Sequence, residues 1–428
     1  MPTSKMVSSL ASTSWEPGGF PPPLQSSTLS RMESYPKPLV PTSPILSSGT
    51  LGLRRERTDI PSVLDAGVAR FLTSGRVGIA WTLRLLGIGP GHKVLIPSYN
   101  CSSMVAPVQW CGAEPVYYRV SERLDIDLDD LERQLEPAVR LLMVTHYFGF
   151  PQQCEALRAF CDRKGIALLE DCAHAFFGTY AGRPLGSFGD FAIASPMKFF
   201  PTLDGGCLVS ARHSLDGVQL RMGGRAFQIK SLLTPLETAL EYGRLGTFGS
   251  ILRPIMQAKD SLWRTLKTLR HGTAEGPERG SSFAPSSSEG GFGFDPMWFD
   301  TAMSGGSRYV MFHTSWARLV KRRRRHYQRF AEALTGLSGC RPLLPDLPDG
   351  VVPYVFPLLL ADHEQSFPVL KQRGVPMLRW DSLSTEAAAH CPQSALYAHA
   401  LVQLPCHQEL LDDELEWMIA EIRRTLTT

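Results

Sequence analysis

The chain has no paired cysteines. Its nine cysteines stand singly at positions 101, 111, 154, 161, 172, 207, 340, 391 and 406, and none forms a Cys-x-x-Cys pair. That spacing gives neither a zinc site nor a disulfide framework, so reduced thiols and a cytoplasmic location are expected. No apolar run approaches the ~18 residues of a membrane span. The N-terminal stretch lacks the apolar block of a secretory signal. Net charge is also small, at +3, which gives no reason to invoke nucleic acid. Apolar content is sparse over residues 1–55, which are rich in Pro and Ser (GGFPPPLQSSTLS, PLVPTSPILSSGT). Such a stretch buries too little to offset the entropy of ordering, so a flexible arm is expected there.

Beyond that arm the composition is that of an ordinary globular protein, with 43% hydrophobic and 20% charged residues. At 428 residues the chain is long enough for a large and a smaller domain. Periodicity predicts helices at 63–71, 77–86, 129–135 and 153–164, and one from Pro97 to about Trp110. Strands are expected at 93–96, 113–120, 140–145, 166–169, 191–194 and 207–210. Strands alternating with helices predict an α/β fold, a mostly parallel sheet flanked by helices. Further on, helices are expected at 218–228, 232–245 and 251–269, then a low-complexity stretch at 271–294. Lys321 to Arg325 are five consecutive basic residues in a helix at 315–334, read as a solvated face. A smaller α/β domain follows, with strands at 354–360 and 375–378 and helices at 364–372 and 412–425, the last capped by Asp412. The expected domains are an arm at 1–55, a large domain at 56–250, an insert at 251–300 and a smaller domain at 301–428.

The stretch LLEDCAHAFFGTYAGRPLGSFGDFAIASPMKFFPTLDGGCLVS, residues 168–210, carries the chemistry. Glu170-Asp171 ends one strand, and Lys198 lies just past another. Ligands of open α/β sheets bind at such carboxyl ends. An amine and a carboxylate so placed suggest a pyridoxal phosphate site. The lysine forms a Schiff base with the cofactor aldehyde, and the carboxylate keeps the pyridine nitrogen protonated. An exposed ion pair is the bland alternative. Against it, Lys198 sits among Pro196, Met197, Phe199, Phe200 and Pro201, flanks that desolvate an amine and lower its pKa. The turn Thr73-Ser74-Gly75 opens a helix whose free N–H groups would suit a phosphate, though such residues also merely cap helices.

These pieces together resemble the DegT/DnrJ/StrS family of pyridoxal-phosphate sugar aminotransferases, of fold type I. The matching segments are SGRVGIAWTLRLLGIGPGHKVLIPSYN, GAEPVYYRV, LDIDLDDLE, HYFG, EDCAHAFFG with GRPLGSFGD, KFFPTLDGG and VQLPCHQELLDDELEWMIAEI, covering about residues 60–425. The resemblance implies that Lys198 is the Schiff-base lysine and proton shuttle, and that Asp171 holds the pyridine nitrogen. By the same resemblance His174 contacts the cofactor's phenolic oxygen or phosphate region. Gly75 and Arg76 would cradle the phosphate through their backbone, and Ser195 would add a hydroxyl. The chain departs from the family at Arg76, where relatives carry threonine, and at Ile193, where they carry the phosphate serine. Cys101 replaces a ring-stacking aromatic, for which Tyr99 or Phe148 would substitute. The nearest match to the asparagine motif that reaches a partner's site is Ser304-Gly305-Gly306-Ser307-Arg308-Tyr309.

The resemblance implies amino transfer from an amino-acid donor such as glutamate to a nucleotide-linked keto sugar by a homodimer, and the small net charge predicts no nucleic-acid partner. A non-catalytic cofactor-binding or regulatory relative, or another pyridoxal-phosphate reaction on a sugar, stays open beside it.

Overall fold

The computed structural model describes residues 35–50, 58–252, 254, 284–285 and 293–427. The expected helix at 251–269, beyond its first residues, and nearly all of the low-complexity stretch lie outside the described residues. The chain divides into Met1–Tyr35 and Pro36–Thr428, and the second unit carries the fold.

Its centre is a sheet of seven strands: β1 (Val68–Leu72), β2 (Lys93–Pro97), β3 (Glu114–Tyr118), β4 (Val139–Thr145), β5 (Ala167–Cys172), and, past a short hairpin of β6 (Thr179–Tyr180) and β7 (Arg183–Pro184), β8 (Phe191–Ala194) and β9 (Gly206–Ser210). The order is β1-β9-β8-β5-β4-β2-β3. Only β9 runs against its neighbours; the pairings among β3, β2, β4, β5 and β8 are parallel. The apolar runs are continuous because both faces are covered. On β4, Leu141 and Met143 join the core under helices α1 (Gly75–Leu85) and α2 (Ser102–Trp110). The alternate residues Leu142 and Val144 face the core of α3 (Leu128–Arg133) and α4 (Cys154–Lys164). A second, antiparallel sheet is made of β10 (Cys340–Pro342), β11 (Val355–Leu360) and β12 (Leu401–Pro405). The fold is the mostly parallel α/β arrangement that the sequence predicts.

Several elements differ from expectation. Residues 63–71 form a 3-10 turn, Val63–Ala66, and then β1, not one helix. Pairing with β9 overrides local helix preference, and Gly67 permits it: a Cβ there would lie 2.5 Å from the Ser210 carbonyl carbon. The two helices expected within 218–245 are one, α5 (Arg225–Glu241), which starts only after Gly223-Gly224. Residues 375–378 make a single bridge, Leu378 to Gln403, in place of a strand. The last helix, Asp412–Leu426, is capped by Leu411, whose N–H donates to Glu414 at 2.8 Å. Asp412 instead pairs with Arg325. Residues 36–50, within the expected arm, lie along the C-terminal part of the chain. Val40 and Ile45 are buried, and the Pro41 carbonyl meets His407 Nε2 at 2.9 Å.

The end of β5 is set by a buried carboxylate. Glu170 accepts hydrogen bonds from the N–H groups of Gly186 (3.0 Å), Phe188 (2.7 Å) and Gly189 (2.6 Å). His146 Nε2, at 3.0 Å, completes the set. The Gln152 N–H occupies His146 Nδ1, so the ring proton faces Glu170. Burial acts to raise the pKa of Glu170. The contact with His146 and the backbone donors outweigh it and hold the carboxyl below its ordinary 4.5. The loop carrying GRPLGSFGD is thereby folded onto β5.

Two outcomes are expected. Because its folded pKa is depressed, Glu170 adds stability above pH 4.5 that is lost as pH falls through the folded value. Glu170→Gln should cost about 3 kcal/mol at neutral pH and flatten the acid limb of the stability curve, read by urea titration from pH 3 to 7. Gly206→Ala should cost about 3 kcal/mol in the same titration at neutral pH, since its Cβ would lie 2.1 Å from the Ser74 carbonyl carbon.

Candidate active site

Parallel pairing of β5 with β8 sets Asp171 opposite Ile193. Both chains then leave the sheet at the same edge. β8 runs into Ser195 and a 3-10 turn, Pro196–Lys198. α1 begins beside them, because Ser74 bridges to Gly205 at the start of β9. A cavity of about 310 Å³ opens where these ends converge, within the range of small-ligand sites. Gly75, Arg76, Asp171, His174, Ser195 and Lys198, the six residues singled out from the sequence, all line it.

Lys198 is half-buried in the cavity wall, its Nζ 5.4 Å from the centre of the Tyr354 ring. Burial lowers its pKa from the ordinary lysine value, against the pull of Asp171, so deprotonation is eased. Asp171 is 4% exposed. Burial raises its carboxyl, while Lys198 and the Ala173 N–H, 2.8 Å from Oδ1, act against that. Its other oxygen accepts no hydrogen bond from the described residues, so the carboxylate is short of a cationic donor. His174 is pushed well below its ordinary pKa by burial and then by Lys198, and is neutral. The Phe148 N–H lies 3.4 Å from Nδ1, which leaves the proton on Nε2.

The end of the cavity beside α1 is the one expected from the sequence to take a phosphate. The Ser74 side chain makes no cap hydrogen bond to the first turn of α1. Ile193, where the resemblance implies a serine, packs beneath α1: a Cβ on Gly78 would lie 2.7 Å from its Cγ2. Ser195, 7% exposed, supplies the nearby hydroxyl. Arg76 places a half-buried guanidinium at the same end, with its Nη1 donating to the Gly293 carbonyl at 2.7 Å. A helix N-terminus without a side-chain cap, a cation, a desolvated amine and an under-satisfied carboxylate fit the phosphate, aldehyde and ring nitrogen of pyridoxal phosphate.

Other expectations move. Neither Tyr99 nor Phe148 lines the cavity. Tyr99 is buried against Tyr147, Trp380 and Tyr397, and Phe148 stacks on His174. The rings at the wall are His174, Tyr354 and Trp380. Tyr354 stands out in the sequence only as a strand start, because its approach to His174, at 4.5 Å between ring centres, depends on tertiary packing. Ser304 and Ser307 both donate to Asp204 Oδ1 at 2.6 Å, so this motif anchors the Asp204-Gly205-Gly206 turn within the same chain. The basic run is not a solvated face: Arg323 is fully buried. Among the described residues, His146, Cys154 and Glu170 cluster as potential metal ligands. Their donors are already engaged, and burial drives the Cys154 thiol far above its ordinary pKa.

Comparison with known proteins places this geometry. Residues 61–222 match the DegT/DnrJ/EryC1/StrS aminotransferase family. A dTDP-4-dehydro-2,3,6-trideoxy-D-glucose 4-aminotransferase of Saccharopolyspora spinosa is 37% identical over 148 residues, 34% of this chain and 38% of the relative. A GDP-perosamine synthase of Vibrio cholerae is 30% identical over 159 residues, 36% of this chain and 43% of the relative. The chain thus spans about two fifths of the length of the curated relatives it matches. Among solved structures, the aminotransferase TlmJ of Streptoalloteichus hindustanus superposes with a TM-score of 0.57 at 22% identity, over 84% of this chain and 86% of that one. NtdA of Bacillus subtilis with bound cofactor PMP gives 0.56 at 15% identity, over 84% and 73%. The fold is therefore that of the fold type I aminotransferases. The segment that matches the DegT/DnrJ/EryC1/StrS aminotransferase family, residues 61–222, is the one that carries Gly75, Arg76, Asp171, His174, Ser195 and Lys198.

Proposed function

We propose that this chain is a pyridoxal-phosphate-dependent aminotransferase that moves an amino group from an amino-acid donor, glutamate first, to a keto sugar carried on a nucleotide. The observation that carries the reading is the convergence of Lys198, Asp171, His174 and the α1 N-terminus on one cavity. The names of the curated relatives, all nucleotide-sugar enzymes or perosamine synthases, support the acceptor class. The cofactor supplies an aldehyde that links to an amine and a ring that takes up electrons as a substrate proton leaves.

The residues divide that work. Lys198 presents a desolvated amine that loses its proton more readily than an ordinary lysine, and so can give up and take back a proton. Asp171 keeps a proton on the ring nitrogen through its unsatisfied oxygen. Neutral His174 offers an Nε2–H to an anionic oxygen. The positive N-terminal end of α1, with Ser195 and the Arg76 guanidinium, would hold the phosphate, the arginine standing in for the absent hydroxyls. Tyr354 and Trp380 wall the cavity from water. A homodimer in the cytoplasm, with no nucleic-acid partner, completes the proposal. The domain scheme is a large cofactor-binding domain at 56–250, an insert at 251–300 and a smaller C-terminal domain at 301–428.

Ile193 and Arg76 favour one second reading, a relative that binds the cofactor without turnover. Titrating purified protein with pyridoxal phosphate separates the two. A visible absorption band in the wild type, missing in Lys198→Ala and bleached by glutamate with release of 2-oxoglutarate, is expected. A Lys198-dependent band that ignores every amino donor would support the binder, and no band in folded wild type would overturn both.

A further inference from the structure

Arg323 sits in the middle of the basic run and shows no exposed surface. Its neighbours reach outward: Arg322 to the Leu410 carbonyl, Arg324 to the Pro348 carbonyl at 2.9 Å, Arg325 to Asp412. Arg323 turns inward and touches no carboxylate. Its Nε donates to Gln408 Oε1 at 3.0 Å, and its Nη1 to the carbonyls of Pro353 (3.1 Å) and Tyr354 (2.9 Å). Its Nη2 donates to the Lys198 carbonyl at 2.9 Å. The guanidinium lies 4.5 Å from the centre of the Phe199 ring. Gln408 continues the chain of contacts, its Nε2 donating to the Phe199 carbonyl at 2.9 Å.

A buried cation with no anionic partner is an expensive element. The main-chain carbonyl dipoles of Lys198, Pro353 and Tyr354 stabilise it here. On its other side, the Lys198 N–H donates to the Ser195 carbonyl at 3.1 Å. The peptide units flanking Lys198 are thus held on both sides, and only the side chain can swing. The same guanidinium holds the backbone of Tyr354, the ring beside Nζ. It therefore sets the position of the amine's pivot relative to the wall against which the amine is desolvated. A lysine could carry the charge, but it has no planar fork to span four acceptors.

We propose that Arg323, clamped by Gln408, is the positioning residue for Lys198: it fixes the pivot of the reactive amine and keeps that amine desolvated. The inference rests on Lys198 being the working amine. Its test needs no cofactor. Competitive labelling with acetic anhydride across pH, read by mass spectrometry, gives the titration midpoint of Lys198 in the cofactor-free protein. Exposed Lys321 serves as the internal reference. Arg323→Lys and Gln408→Leu should each move the Lys198 midpoint up by about one pH unit, roughly a tenfold loss of labelling at a fixed lower pH. Lys321 should not move. Arg325→Ala, which breaks only the surface pair with Asp412, should leave the Lys198 midpoint in place. If Arg323→Lys does not fold, the milder Gln408→Leu carries the test. Variants that melt earlier yet keep the wild-type Lys198 midpoint would overturn the proposal and leave Arg323 as a packing residue. Failure of the aminotransferase reading would show separately, as the absence of a cofactor band.

Discussion

The pairing of β5 with β8 is the constraint on which the site depends. One register, Asp171 against Ile193, brings an acid at the end of one strand beside a chain that turns at Ser195 and reaches Lys198 three residues later. A slip of one residue would turn every side chain of β8 to the opposite face of the sheet and take Ile193 from beneath α1. The register is protected from both directions. Glu170 gathers the 186–189 backbone onto β5, and Asp190 in the same loop accepts the Leu168 N–H at 2.8 Å. On the far side, β9 returns against β8 and meets the start of α1 through the Gly205-Gly206 turn.

A common physical device recurs around the cavity. Glu170, Asp204 and Arg323 are charged groups taken out of water, and main-chain groups or neutral side chains supply most of their partners. Each ties together segments far apart in the sequence: Glu170 joins β5 to the 186–189 loop, Asp204 joins the glycine turn to Ser304 and Ser307, and Arg323 joins Lys198 to Tyr354 and Gln408. Such groups are costly to bury singly and expensive to half-satisfy, so they specify one arrangement of the loops. Asp171 is the exception, a buried carboxylate left with an open oxygen, and it faces the cavity.

The alternation of strands and helices was legible because both faces of the sheet are covered, which writes each strand as an apolar run. The six cavity residues were legible because the chemistry sits at strand ends and turns, which Gly, Pro and Asp mark locally. What stayed hidden is tertiary. Residues 63–71 carry a helical spacing, yet β9 claims Val68–Leu72 as an edge strand and leaves only a 3-10 turn before it. A run of five basic residues looks alike whether its members face water or carbonyls, and only packing distinguishes Arg323 from Arg325. Tyr354 and the serines at 304 and 307 likewise gain their places through contacts across 100 residues or more of chain. The substitution of Ile193 for a hydroxyl was visible as a departure. Its consequence, a side chain filling the space under Gly75 and Gly78, was not.

The account centres on Lys198 as the amine that carries the cofactor. The most direct measurement is borohydride reduction of the protein loaded with pyridoxal phosphate, followed by peptide mapping. The account predicts one phosphopyridoxyl group per chain, on Lys198 and on no other lysine. Attachment at a different lysine, or at several in substoichiometric amounts, would contradict it.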